Sequence, residues 1–188
     1  MDKHTPAHPP PMQESDEATR EQLLLAQDQG DALDRALRHM IGKEAHGREV
    51  DAGEYRVGYA VEHAEGLHRW DGGELRWHEP ADENAHIEIC VRDGADGRFL
   101  PGLRVTVTVL DAQGREIATH VQPFLWHPWL YHYGRNWTVP GSGDYTLRVR
   151  IDPPEWARHD LKNGGRFKQP VEVEFRDVHI DTGRKIST

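Results

Sequence analysis

Two hydrophobic periods divide the chain. Between residues 16 and 42, Leu23, Ala26, Gly30, Leu33, Leu37 and Met40 follow one another at intervals of three and four, which puts them on one face of a helix. Ser15 or Asp16 offers an N-terminal cap. Asp16, Glu17 and Glu21 place negative charge in the first turn, and Arg38 and His39 place positive charge in the last, both favourable to the helix dipole. Gly30 in mid-stripe weakens a helix by about 1 kcal/mol relative to alanine and makes a break there an expectation. Gly42 and Gly47 are expected to close the element. An apolar stripe on an otherwise polar helix must be covered, by the body of the protein or by a second copy of it.

Beyond residue 54 the period falls to two. Tyr55–Val61, His86–Val91, Arg104–Leu110, Glu116–Val121, Asp144–Ile151 and Val171–Phe175 alternate apolar with polar or small residues. Each predicts a strand with one buried face, and Val178–Ile180 extends the last. Strands at hairpin spacing without intervening helices predict an all-β domain over residues 50–180, an antiparallel β-sandwich with an added N-terminal α-helix. Residues 1–15, with Pro6 and Pro9–Pro11, predict a mobile tail, and residues 181–188 a second one. Two connections are long, Glu65–Asn84 and Phe124–Ser142. The aromatic residues crowding the second predict an ordered loop.

Charge and composition remove several function classes. The 188 residues carry 32 acidic and 23 basic side chains, a formal charge of −9. That disfavours nucleic acid or an anionic membrane as a partner, since both attract cationic faces. No apolar run approaches the roughly 20 residues of a membrane-spanning helix. Met1–Gln13 lacks the apolar stretch of an export signal, so a cytoplasmic location is expected if the chain is full length. The single cysteine, Cys90, excludes an internal disulfide and paired-cysteine metal motifs. The 13 histidines are the unusual count: they fit pH-dependent surface charge and metal ligation equally.

Position distinguishes a few of them. His86 and Glu88 lie two apart on a predicted strand and so share a face, with Cys90 next in line. The pair reads as a solvated face or as two metal donors. His132, between Tyr131 and Tyr133 and before Gly134, is rigidly held, which suits ligation or packing. His127 sits between Trp126 and Pro128, and His120 on the preceding strand. Arg158-His159-Asp160 lacks the other parts of a kinase catalytic loop; His159 beside an acid fits a ligand oriented by a carboxylate. No GxSxG, phosphate-binding glycine loop or HExxH helix is present, so catalysis has little support. Trp126, Trp129, Tyr131 and Trp137 offer a second reading, a stacking surface for carbohydrate or peptide on loop 124–137.

In order and spacing these pieces resemble the periplasmic iron-transport protein family, small sandwiches encoded beside ferrous-iron permeases. The resemblance rests on His86-Ile87-Glu88, Pro101-Gly102-Leu103, Gln122-Pro123-Phe124, His132-Tyr133-Gly134-Arg135-Asn136, Gly143-Asp144-Tyr145, Arg158-His159 and Gly165-Arg166-Phe167 through Phe175. It implies an immunoglobulin-like fold, a homodimer with a metal site near its interface, an extracytoplasmic location and an iron permease or other transport partner. It also implies His86, Glu88, His132 and His159 as ligands of Cu2+ or Fe2+, with Zn2+ a further candidate. The family's thioether ligand is missing, because Phe124 stands where its motif has methionine, and no methionine follows Met40. Losing that sulfur disfavours Cu(I), and His127 or His120 would supply the replacement nitrogen. The N-terminal helix is the other departure from the family pattern.

Overall fold

The structure, a computed structural model, describes residues 9–43 and 45–185. Helix α1 spans Arg20–Lys43. It starts later than expected because Ser15 and Ala18 close a turn of their own. The cap is Thr19: its hydroxyl accepts from the Gln22 N–H, and the Gln22 side chain accepts from the Thr19 N–H at 2.8 Å, a reciprocal box that satisfies two of the free donors.

The expected break at Gly30 does not occur. A Cβ there would lie 1.7 Å from the carbonyl oxygen of Asp96, so the glycine lets the helix backbone settle directly onto the 93–97 turn. Contact, rather than flexibility, is what this residue provides.

Among the described residues eleven strands follow: β1 His46–Ala52, β2 Tyr55–Glu62, β3 Leu67–Asp71, β4 Glu74–His78, β5 Ala85–Asp93, β6 Val105–Leu110, β7 Glu116–Gln122, β8 Phe124–Trp126, β9 Tyr131–Trp137, β10 Gly143–Ile151 and β11 Val171–Ile180. A five-stranded sheet in the order β1-β2-β5-β9-β8 packs on a four-stranded sheet, β11-β10-β6-β7, while β3 and β4 form a separate hairpin. The fold is the immunoglobulin-like antiparallel sandwich with an added helix. Its core lies between the sheets: Val57, Ile87, Ile89, Val91, Tyr133 and Trp137 face Val105, Val107, Leu147, Val149 and Phe175.

α1 lies on the outer face of the five-stranded sheet. Its stripe covers its own chain: Leu37 and Met40 pack with Ala60, Cys90 and Leu130, supported by Leu33 and Ile41. A buried charge ties the layers together. Arg92 of β5 donates through Nη2 to both carboxylate oxygens of Glu49 on β1, at 2.6 Å each, and through Nη1 to Asp34 of α1 at 3.3 Å.

Five strands, in three stretches of the chain, lie where the sequence predicts no strand. β1 contains Gly47, expected to end the helix; β3 and β4 occupy the first long loop; β8 and β9 occupy the aromatic one. Pro123, Pro128 and Gly134 look like loop punctuation, yet the prolines fall outside β8 and β9 and the glycine serves a close approach within β9. Part of the expected tail is also fixed. Gln13 exchanges backbone–side chain hydrogen bonds with Asn163, Ser15 donates to Asp160 at 2.6 Å, and Arg166 donates to the Pro10 carbonyl. His4, His8 and residues 186–188 lie outside the described residues.

The Gly30 contact is testable. Gly30→Ala should destabilise the protein by about 1–3 kcal/mol despite alanine's better helix propensity, as overpacking does. Urea denaturation measures it, and an unchanged or raised midpoint would contradict the packing described.

Candidate metal centre

Alternation along β5 sends Ile87 and Ile89 into the core and His86, Glu88 and Cys90 to the outer face, as the sequence predicts. That face is not solvated. His86 is 0%, Glu88 6% and His132 4% exposed. The register sets His86 opposite Asn136 and Glu88 opposite Gly134, so His132 is the diagonal neighbour of Glu88, within reach of a long side chain. His132 Nε2 lies 3.2 Å, and His86 Nε2 3.7 Å, from Glu88 Oε1. Donor atoms of His86, Glu88 and His132 all fall within 4.8 Å of one another.

Gly134 makes the convergence possible. A Cβ at this position would stand 3.0 Å from both His86 Nε2 and His132 Cδ2, and 3.1 Å from Leu125 Cδ1. The two rings meet over the bare backbone at 89°, with centroids 6.2 Å apart.

Asn136 sets the chemistry of His86. Its amide nitrogen donates to the Glu65 carbonyl at 2.7 Å, which leaves Oδ1 to accept from the Glu65 N–H and from His86 Nδ1 at 2.8 Å. His86 therefore carries its proton on Nδ1 and presents a lone pair at Nε2, the arrangement usual behind a metal-bound histidine. His86 Nε2 and both nitrogens of His132 are buried without a hydrogen-bond partner, a cost that native proteins seldom leave unexplained. Burial pushes the His86 pKa down to about 4, against the pull of the Asn136 hydrogen bond. Burial, with His86 and His127 nearby, pushes His132 down to about 3. Both are neutral at pH 7, the form that ligates a metal. Two imidazoles and a carboxylate form a donor set that fits a divalent transition ion.

Other expected residues fall elsewhere. His159 does not join the group within one chain. Its side chain is 94% exposed and faces Glu17 at 3.4 Å, on a loop that Asp160 organises by accepting from the Lys162 and Asn163 N–H groups. His127 is held in the β8–β9 turn, where its N–H donates to the Leu130 carbonyl and its ring meets Trp129 edge-on. It neighbours His132 electrostatically without entering the group. His120 packs against Trp137, ring centroids 4.8 Å apart. Trp137 is buried in the core, whereas Phe124, Trp126, Trp129 and Tyr131 remain exposed, so the proposed stacking surface loses one ring.

Glu65 and Asn136 had no place in the sequence-based site. Glu65 Oε1 lies 3.7 Å from His86 Nε2, and burial raises its pKa. Asn136 ends the His132-Tyr133-Gly134-Arg135-Asn136 motif, which assigns it no role; its position opposite His86 emerges only from the strand register. On β8 the side chain that meets the centre is Leu125, not Phe124. Phe124 instead stacks on Tyr131.

A family model described as Fe2+ transport protein matches residues 74–181. The chain belongs to this Fe2+ transport protein family. Among curated relatives of the family member, a UPF0423 protein of Brucella abortus strain 2308 is 28% identical over 121 residues, 55% of this chain and 65% of that protein. The Brucella suis counterpart matches equally. The matched part of the chain thus spans 65% of the length of these relatives, just under two-thirds.

Two solved structures share the fold of the Fe2+ transport family chain. FetP of uropathogenic Escherichia coli strain F11, recombinantly expressed in the periplasm, superposes with a TM-score of 0.59 at 22% identity, covering 73% of this chain and 95% of its own. Copper-reconstituted P19 of Campylobacter jejuni gives 0.60 at 17%, covering 75% and 98%. The family member's helix α1 precedes the matched segment.

The lowered imidazole pKa values make stability depend on pH. In the unfolded chain both histidines protonate near pH 6.5, but in the fold only near 4 and 3. The unfolded state therefore binds protons first as pH falls. Their contribution is complete above about pH 6.5 and declines below it. Urea midpoints of the metal-free protein should drop between about pH 7 and about pH 4, and His132→Gln should reduce that drop. A variant with the wild-type pH dependence would show that His132 is not held neutral.

Proposed function

We propose that the protein is a non-catalytic carrier of a transition-metal ion, an accessory to iron or copper handling, with His86, Glu88 and His132 as the residues that hold the cargo. The observation carrying this reading is the set of buried neutral imidazole nitrogens around Glu88 that lack hydrogen-bond partners. Family membership and the copper-bound state of P19 and of a FetP variant support it. Imidazole suits copper, zinc and iron, and the carboxylate adds affinity for ferrous iron. The reading includes an extracytoplasmic location and a membrane permease as the recipient.

The residues of the centre divide the work. His86 and His132 offer lone pairs with no proton to lose at pH 7, and Glu88 supplies the negative charge that a divalent ion needs in a buried setting. Asn136 keeps His86 in the ligating tautomer. Gly134 keeps the space between the rings open.

Titration of metal-free protein with Cu(II), Fe(II) and Zn(II), followed by isothermal calorimetry, tests the reading. One ion per chain is expected, with His86→Ala and His132→Ala each losing the site, while His159→Ala keeps it. Unchanged stoichiometry and affinity in both of the first two variants would overturn the assignment. Asn136→Leu, which removes the acceptor for His86 Nδ1–H, should weaken binding about 10–100-fold without changing stoichiometry. Wild-type affinity in that variant would remove Asn136 from its positioning role.

A further inference from the structure

The unprotonated nitrogen of His86 has two carboxylates for neighbours. Glu88 Oε1 and Glu65 Oε1 each lie 3.7 Å from His86 Nε2. Asn136 holds the ring proton on Nδ1, so no hydrogen stands between these atoms, and the separation is too long for a hydrogen bond. Two donors bound at about 2.1 Å to a tetrahedral ion stand about 3.4 Å apart. Each carboxylate is therefore near the distance of a co-ligand from His86.

Glu65 comes from outside the five-stranded sheet, on the connection between β2 and β3, yet its place is fixed. Asn136, the residue that orients His86, accepts from the Glu65 N–H and donates to its carbonyl, so one side chain positions both residues. Glu65 Oε2 accepts from Lys185 Nζ at 3.1 Å, which leaves Oε1 turned to His86. Lys185 also pairs with Glu62, and its backbone N–H donates to the Ala64 carbonyl at 2.7 Å. The carboxylate is thus backed by hydrogen bonds, as ligating carboxylates usually are.

We propose that Glu65 is a fourth donor of the centre, its Oε1 closing on an ion held by His86, Glu88 and His132, and that two imidazoles with two carboxylates select ferrous iron against cuprous copper. The inference rests on the metal-carrier reading above and names its ion. The independent sign of a ligand is His86, 0% exposed, with Nε2 lacking a hydrogen-bond partner. Glu65 stands just outside the three residues whose donor atoms lie within 4.8 Å of one another, and rotation of its partly exposed side chain brings it in. Lys185 then keeps Glu62 as its partner, so the movement strands no charge. Two neutral imidazoles and Glu88 bring one negative charge to a divalent ion; Glu65 brings the second, which lowers the cost of burying it. A carboxylate oxygen is a hard donor that suits Fe(II), whereas Cu(I) prefers soft ones.

The test uses the whole chain and its Glu65→Gln variant, which keeps the side chain's size and an acceptor for Lys185 but removes the charge. Anaerobic calorimetry gives Fe(II) affinity, competition with bicinchoninate gives Cu(I) affinity, and infrared difference spectra on adding Fe(II) read the carboxylates that take up the ion. Glu65→Gln should weaken Fe(II) binding by about tenfold or more and Cu(I) binding by less than about threefold. Two carboxylate bands should shift in the wild type and one in the variant. Equal Fe(II) affinity in the two proteins would overturn the proposal. So would equal weakening toward both ions, the mark of a purely structural role, or a single shifting carboxylate in the wild type. Wild-type protein that takes up neither Cu(I) nor any divalent ion would instead refute the metal-carrier reading, and this inference with it.

Discussion

Every residue of β5 is buried, on the face that meets the second sheet and equally on the face that meets α1. A strand buried on both sides normally reads as continuous hydrophobic sequence, yet this one alternates Ile87, Ile89 and Val91 with His86, Glu88, Cys90 and Arg92. Each polar side chain on the covered face must find a partner or carry a desolvation cost. Arg92 finds Glu49 and Asp34. His86 finds Asn136 at one nitrogen only. Apart from Arg92 Nε, the nitrogens left without a partner beside this face gather around Glu88, and the position of the centre follows from that imbalance.

The surroundings of Glu88 are shaped by small residues. Gly58 and Ala60 on β2 and Gly134 on β9 sit beside the polar positions of β5, leaving room above the sheet for side chains rather than filling it. α1 closes that room with Leu37 and Met40. Leaving a buried nitrogen without a partner costs about 1–3 kcal/mol, and three such nitrogens on two rings are a substantial penalty for a domain of this size. An arrangement that stores such a cost in the metal-free state gains correspondingly when an ion occupies it.

Much of this was legible in the chain. The two-residue period located β2, β5, β6, β7, β10 and β11, and it put His86 and Glu88 on one face. It could not say that the face would be dry, because burial on that side depends on α1, whose stripe identified a need for cover without naming what was covered. β9 was obscured for a related reason. Gly134 in Tyr131–Trp137 reads as a break, whereas its missing side chain is what admits two imidazoles. Asn136 and Glu65 have no local signature; register and a loop's return bring them to His86. His159 fits the sequence motif, but within one chain its loop points it to solvent.

The anchoring of α1 also bears on time. The helix is fastened at one point by the bare backbone of Gly30 on the Asp96 carbonyl and at another by Asp34 on Arg92. Beneath it the centre has no open side through His86, which is wholly buried. An ion enclosed in this way exchanges at the rate at which its cover opens, and local opening of a packed helix is set by the contacts that hold it down. On the carrier reading proposed above, the donors would set the strength of binding, and the contacts of Gly30, Asp34 and Arg92 would set the speed of exchange.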